Sequence, residues 1–304
     1  MMGVHQELAT ELSRIAGELR PVGAAYVSVV GLAERVGAKV FMRFHSAGRR
    51  RDAEVEFGGG RDRIVLFRQG SNDGEKLLNS ADECWLTARE RFSIAHELAH
   101  WISFRRLGLT PGGRSSEFWD QERCMDAFAN SLLVPDWLVE RWLSQIPANG
   151  LIEPLMVRRC AAMECRVSEE VVARALCRPG GPFGLMKLVS AREKATGNDV
   201  LRVLFSVCGG GLCLPKVHAH IANEDLRQAL EARKIGAQSF RACRLGKCPP
   251  QDLRIAWRHA GSLGRSPSAA QQAHDQRLSR VFWLSLCVES SPTPGESAQQ
   301  LGLL

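Results

Sequence analysis

Two histidines and a glutamate supply the clearest chemistry in this sequence. His96, Glu97 and His100 belong to the run His-Glu-Leu-Ala-His. On an α-helix, positions i and i+4 lie about 40° apart around the axis, so both imidazoles point to one side and can converge on one ion. Neutral imidazole suits Zn²⁺, and the carboxylate between the ligands can take a proton from water at the metal. The spacing predicts His96 and His100 as zinc ligands and Glu97 as general base; the alternative is two ordinary helix histidines.

A third protein ligand must come from elsewhere in the chain, because a catalytic zinc site uses three protein ligands and keeps one position open. Glu122 and Asp126 are four residues apart and share a helix face. We expect Glu122 on the metal and Asp126 behind it, accepting a hydrogen bond from the far nitrogen of one histidine. Cys124 and Glu117 compete for the ligand role, but Cys124 lies on another face and Glu117 has Gln121 four residues on. The remaining alternative is that Glu122 and Asp126 form a solvated helix face.

The expected cofactor is zinc, and manganese is compatible with the same ligands. Two neutral imidazoles and one carboxylate leave a divalent ion with a net charge of about +1. That residual charge lowers the pKa of bound water toward about 7. The ligand set therefore indicates hydrolysis.

Two predicted helices must position these side chains. The first spans 87–106, where Thr87 can cap the first turn and Glu90 completes a capping box. The second spans 116–133 and ends before Pro135. Around them, the sequence pattern predicts helices at 5–20, 24–36 and 136–145 and strands at 39–44, 53–57 and 64–67.

A helix-turn-helix unit is predicted further along, with helices at 154–163 and 169–177 and Ser168 capping the second. Arginines give it a basic character, but Glu169 and Glu170 open the second helix, where base-contacting residues belong. Direct DNA binding is therefore possible but not favoured over packing or substrate docking.

The fold class is α+β, and the chain divides into four predicted segments. They are a zinc peptidase domain at 1–146, the helix-turn-helix at 147–178, a smaller α+β, sensor-like domain at 183–289 and a flexible tail at 290–304. A linker at 178–182 rich in proline and glycine marks one boundary. Within the third segment we expect strands at 200–207, 212–217 and 282–288, a glycine turn at 209–211 and a helix at 222–233.

The composition bounds the class of protein. The chain has 304 residues, 45% of them hydrophobic and 24% charged, which is typical of a globular protein with a sizeable core. No apolar run is long enough to span a membrane, and the N-terminus lacks the apolar core of a secretory signal, so we expect a cytoplasmic location. The formal net charge of +7 mildly favours an acidic or nucleic-acid partner.

Two long runs resemble a known family. The first is Arg91 through Trp101, which contains the histidine motif, and the second is Glu122 through Pro135, which ends in Leu-Leu-Val-Pro. Together they resemble the ImmA/IrrE metallopeptidases over about 24–145, and more loosely over 154–177. Ala99 replaces a glycine common in the family, and Asp126 a frequent asparagine.

The resemblance implies a small gluzincin-like fold that uses zinc. It also implies cleavage of a regulatory protein, often a helix-turn-helix transcriptional repressor, so that repressed genes are released. Members of the stress-response branch carry a helix-turn-helix and then a sensor-like domain related to GAF, and the layout of this chain is similar. The C-terminal part matches too weakly to assign a GAF-like fold.

The ten cysteines include two pairs that need separate interpretation. Cys208 and Cys213 are separated by four residues, as are Cys243 and Cys248. A second metal site, a redox-sensing pair or ordinary thiols are the alternatives, and ordinary thiols are favoured because structural zinc usually takes tighter spacings.

Three functions follow from these patterns. The first is a zinc endopeptidase that cleaves a regulatory protein. The second is a DNA-binding transcriptional regulator whose zinc is structural, and the third is a signal-sensing module with an inert peptidase domain. Glu97 separates them, because a structural site has no use for a carboxylate between its ligands.

Overall fold

The chain forms two compact units in a computed structural model. One unit contains Met1–Trp142 and Arg159–Ala175, and the other contains Leu143–Arg158 and Leu176–Leu304. The segment 147–178, predicted as one helix-turn-helix domain, is thus shared between them. The structure describes residues 2–45, 52–58, 62–70, 74–109, 116–146, 151–152, 154–177, 183–192, 199–209, 212–233, 235–262 and 280–288. Both helices and strands occur, so the predicted α+β class is confirmed.

The elements before residue 177 are mostly helical. The helices are α1 (Met2–Leu19), α2 (Val29–Arg35), α3 (Ala88–Leu107), α4 (Ser116–Leu133), α5 (Asp136–Leu143), α6 (Pro154–Arg159) and α7 (Glu169–Leu176). The strands are β1 (Lys39–His45), β2 (Ala53–Glu56), β3 (Arg63–Gln69) and β4 (Gly74–Leu77). A 3-10 helix covers Ser80–Trp85, and a π-helical segment covers Cys160–Cys165.

The four strands form one sheet in the order β2-β3-β1-β4. β1 pairs parallel with β3, and the other two pairings are antiparallel. The centre of β3, Ile64 to Phe67, is buried, as expected of an apolar run in an inner strand. β2 lies at an edge of the sheet and contacts α3. The sheet thus places its edge strand β2 beside the helix that carries the histidine motif.

Helix α3 begins and ends as its sequence predicts. Thr87 caps it, and Glu90 completes the capping box, so two otherwise unpaired backbone N–H groups are satisfied. Gly108 ends it in the left-handed conformation with φ of 65°, which costs glycine little. One face of α3 is buried, including Ile94, Leu98 and Ile102. The helix is therefore fixed at both ends and along one side.

A buried arginine ties α3 to its surroundings. Arg91 is 0% exposed, and its Nε donates to Oε1 of Glu83 at 2.9 Å. The same guanidinium donates to the carbonyls of Cys165 at 2.7 Å, Arg166 at 2.5 Å and Val27 at 2.6 Å. Since buried charges are tolerated only when paired and fully hydrogen-bonded, this network joins three separate chain segments to α3.

Two predicted helices need correction, and two further elements were not predicted. The helix predicted at 24–36 begins only at Val29, because Ser28 caps it there. Before it, Nη2 of Arg20 donates hydrogen bonds to the carbonyls of Ala24 and Ala25. Strand β4 and the 3-10 helix after it were not predicted. The helix predicted at 154–163 changes to π-helical geometry at Cys160, and Arg166 then turns the chain with φ of 53°.

The second unit is built on a six-stranded antiparallel sheet in the order β7-β6-β5-β10-β9-β8. Its elements are β5 (Phe183–Arg192), β6 (Asp199–Cys208), β7 (His220–Ile221), α8 (Glu224–Ala232), β8 (Ile235–Cys243), β9 (Gln251–Ser262) and β10 (Arg280–Val288). Its core is mostly aliphatic, with Met186, Leu188, Val203, Leu253, Ile255 and Leu284 among its members, and it also contains the aromatic residues Phe240, Trp257 and Phe282.

The strand predicted at 212–217 is wrong. The segment makes no ladder, and the carbonyl of Pro215 instead accepts a bond from Ser206 Oγ at 2.7 Å. Proline lacks the N–H that a ladder needs. The predicted linker at 178–182 and tail at 290–304 lie outside the described residues, as do Gly210 and Gly211 of the predicted turn.

The buried pair gives a prediction on stability. Replacing Glu83 by Gln leaves the Arg91 charge buried without its partner, so we expect the free energy of unfolding to fall by about 3–5 kcal/mol. Asp52→Asn is the control, because Asp52 pairs with Arg89 at the surface, where side-chain exposures are 48% and 79%. That change should alter stability by less than about 1 kcal/mol in urea titrations. Equal losses in the two variants would contradict the role given to Arg91.

Candidate metal centre

Three predicted ligands meet at one point between α3 and α4. Nε2 of His96 lies 3.2 Å from Oε2 of Glu122, and Nε2 of His100 lies 3.2 Å from Oε1 of Glu122. The two Nε2 atoms are themselves 3.2 Å apart. Among the described residues, this is the group of histidine, cysteine and acidic side chains whose ligand atoms are close enough to share an ion. The structure thus brings together His96, His100 and Glu122.

The two helices hold these side chains through their buried faces. On α3, Ala95 and Ala99 adjoin the histidines and are 0% exposed, so the helix lies close to its neighbours. On α4, Phe128 and Leu132 are likewise 0% exposed. The ligands therefore project from backbone that is fixed by packing, while each ligand side chain stays partly exposed.

Asp126 lies behind His96, as its spacing predicts. Oδ1 of Asp126 lies 2.9 Å from Nδ1 of His96. A carboxylate at Nδ1 favours the tautomer with the proton on that nitrogen, which leaves the lone pair of Nε2 for an ion. Asp126 therefore orients one ligand and does not itself belong to the group of three.

Glu97 lies next to this group on α3. Burial raises the pKa of its carboxyl group, which the nearby imidazoles of His100 and His96 oppose. The backbone N–H of Val55, in strand β2, also favours the charged form. A buried carboxylate with a raised pKa is a better proton acceptor than an exposed one, as a general base requires.

The protonation of the metal-free group fits a cation site. Burial opposes the charge on His96, but hydrogen bonds to Asp126 and Glu122 outweigh it and raise its pKa to about 9. Hydrogen bonds from His100 and His96 lower the pKa of Glu122 to about 2. The direction of both pKa shifts shows that the group favours a positive charge on His96 next to a negative charge on Glu122. The donor set of two imidazoles and one carboxylate suits Zn²⁺ and admits Mn²⁺.

Of the two competing third ligands, Cys124 is not part of the group. Cys124 is 7% exposed, and burial raises the pKa of its thiol, which disfavours the thiolate that a metal needs. The side chain of Glu117 lies outside the described residues.

In the second unit, the neighbours of Cys243 and Cys248 do not follow the two pairs, Cys208 with Cys213 and Cys243 with Cys248, that are close in sequence. All four cysteines are free thiols. Cys243 accepts a bond from Nδ2 of Asn223 at 3.5 Å, whereas burial and the neighbouring Cys213 thiol raise the pKa of Cys248 to about 11. Within the described ranges, these cysteines form no group with metal-ligating geometry.

Comparisons with known proteins give a likeness of fold to solved structures but no match in sequence. No protein family model and no curated protein sequence matches the chain. The chain is similar to a solved structure described as a Mycobacterium tuberculosis transcriptional regulator, with a TM-score of 0.51 and 12% sequence identity. The match covers 93% of this chain and 76% of the other chain. No helix in the described ranges is long and apolar enough to cross a membrane.

The role of Asp126 can be tested by metal binding. Asp126→Ala removes the group that orients His96, so we expect zinc affinity to fall about 10–100-fold. Asp120→Ala on the same helix removes a surface partner of Arg123 and should leave the affinity unchanged. Competition with a chromophoric chelator measures the zinc affinity of both variants. An Asp126→Ala variant that binds zinc as tightly as Asp120→Ala would contradict the orienting role of Asp126.

Proton release gives a second test of the same group. Zinc needs the neutral imidazole, and His96 without metal has a pKa of about 9. Binding below that pH should therefore release about one proton, and affinity should rise about tenfold per pH unit until the pH reaches that value. Calorimetry in buffers of different ionisation enthalpy measures the protons released. Affinity that does not change with pH would show that His96 is not a ligand.

Proposed function

We propose that this chain is a zinc metalloendopeptidase that cleaves a regulatory protein, with a helix-turn-helix transcriptional repressor as the expected substrate. The observation that supports this most is the position of Glu97 beside His96, His100 and Glu122. A site that used zinc only for structure would not need a partly buried carboxylate with a raised pKa next to its ligands. The ImmA/IrrE resemblance of the same two helices supports the same class of enzyme.

The chemistry requires a zinc ion at His96, His100 and Glu122. Bound there, the ion would act as a Lewis acid that makes water a stronger acid and stabilises developing negative charge on a carbonyl oxygen. Glu97 takes the proton from the attacking water on its carboxylate oxygen and then delivers it to the leaving amine. Its raised pKa keeps that proton bound between the two transfers.

The edge strand β2 offers a place for the substrate backbone. β2 is at the edge of its sheet, and Val55 within it donates to Glu97, so the strand passes beside the general base. The open edge of such a strand presents unpaired N–H and C=O groups that an extended peptide can pair with. We propose that the substrate binds there in extended form.

Loss of the base should separate catalysis from metal binding. Glu97→Gln preserves side-chain shape but cannot accept the proton, so we expect zinc content to persist and cleavage to fall at least about a hundredfold. Glu140→Gln, at an exposed position of α5, is the matched control. Each variant is co-expressed with candidate repressors, and fragments are detected by mass spectrometry. Cleavage by the Glu97→Gln variant at the wild-type rate would show that Glu97 is not the base.

A DNA-binding regulator with a structural zinc is the second candidate. It is favoured by the likeness to a solved structure described as a transcriptional regulator, although 12% identity supports only a shared fold. Glu169 and Glu170 in the first turn of α7 oppose it, because they place negative charge where phosphate or base contacts would be made. Operator binding by wild-type protein that cleaves no repressor would favour this second function.

A further inference from the structure

Helix α7, the second helix of the predicted helix-turn-helix, is joined by a buried hydrogen bond to the helix that supplies Glu122. Nδ2 of Asn130 on α4 donates to the carbonyl of Val171 on α7 at 2.9 Å. Both residues are buried, at 8% and 6% exposure. A buried side chain bonded to the backbone of another helix fixes their relative positions, because breaking the bond leaves an unpaired polar group.

One helical turn from this bond, α7 reaches the metal centre. Nη1 of Arg174 lies 3.8 Å from Oδ2 of Asp126. The other oxygen of the same carboxylate, Oδ1, lies 2.9 Å from His96. Asp126 therefore stands between a guanidinium on α7 and a metal-ligating imidazole on α3.

We propose that Arg174 is a positioning residue for the metal centre, which holds the Asp126 carboxylate in the orientation that directs His96 at the ion. This inference rests on the zinc site of the proposed function. It also gives α7 a role that the DNA-binding interpretation does not contain. The second helix of the helix-turn-helix supports the metal site of the peptidase unit, and its basic side chain faces a carboxylate rather than a phosphate.

The charge on Arg174 has two opposing effects on zinc affinity. It repels the ion directly, and it restrains Asp126 so that the hydrogen bond to His96 persists. The Arg174–Asp126 pair is half exposed, with side-chain exposures of 52% and 41%. Water and salt therefore weaken the direct repulsion between the Arg174 charge and the ion. We expect the restraint on Asp126 to be the larger effect, because the ion pair acts directly on Asp126 while solvent weakens the repulsion between Arg174 and the ion. Arginine therefore increases the affinity, by the modest amount typical of an exposed pair.

Zinc affinity of the full chain tests the proposal, measured by competition with a chromophoric chelator. We expect Arg174→Ala to weaken zinc binding about two- to fivefold and Arg174→Lys to restore most of the loss. Arg123→Ala is the matched control, since Arg123 lies on the exposed side of α4 and pairs with Asp120. It should bind zinc like the wild type.

A double-mutant cycle separates positioning from a general structural effect. If Arg174 acts through Asp126, then Arg174→Ala in an Asp126→Ala background should cause no further loss. The same loss in both backgrounds, or wild-type affinity in Arg174→Ala, overturns the proposal. Circular dichroism of each variant checks folding, and the lysine variant, which retains the charge, gives the answer if the alanine variant unfolds.

The outcomes also separate this inference from the proposed function. If the wild-type protein binds no zinc, both fail together. If it binds zinc and shows the Arg174–Asp126 coupling but cleaves no repressor, the positioning role stands and the endopeptidase fails. If it cleaves a repressor and Arg174→Ala binds zinc normally, only the positioning role fails.

Discussion

The side chains of His96, His100 and Glu122 are held in mutual contact between α3 and α4, where each loses part of its hydration. The two Nε2 atoms and the Glu122 carboxylate lie 3.2 Å apart in each pairing, and a positive charge shared among them stabilises that arrangement. Without metal a proton supplies the charge, as the raised pKa of His96 indicates. The rest of the N-terminal unit can be understood as the framework that keeps the two helices in this relation.

That framework is itself partly polar. The guanidinium of Arg91 joins α3 to the 3-10 helix through Glu83 and to the chain around Cys165. Asn130 joins α4 to α7 through Val171. A purely apolar interface would allow the helices to slide by small amounts, whereas directed hydrogen bonds between buried groups fix register. A metal site needs such fixed register, because ligand distances tolerate only small errors.

The sequence predicted which side chains the structure brings together, because the signals for these residues are local. The i, i+4 spacing of His96 and His100 and the capping box at Thr87 depend on one helix alone, and Asp126 follows Glu122 by one turn. Features that depend on distant partners were missed. The start of α2 is also bonded by Glu83, which accepts from the backbone N–H groups of Val29 and Val30, and most of the second sheet could not be inferred from short apolar runs. The contact between Arg174 and Asp126 likewise depends on how α7 packs, which no sequence spacing encodes.

The most direct test of the account is X-ray absorption spectroscopy of the zinc-loaded protein. The account predicts a first coordination shell of nitrogen and oxygen atoms only, at about 2.0–2.2 Å, with multiple scattering from two imidazoles. Glu122→Ala should change that shell, while the two imidazoles remain visible. A shell containing sulfur at about 2.3 Å, or zinc that is retained unchanged when His96 and His100 are both replaced by alanine, would contradict it.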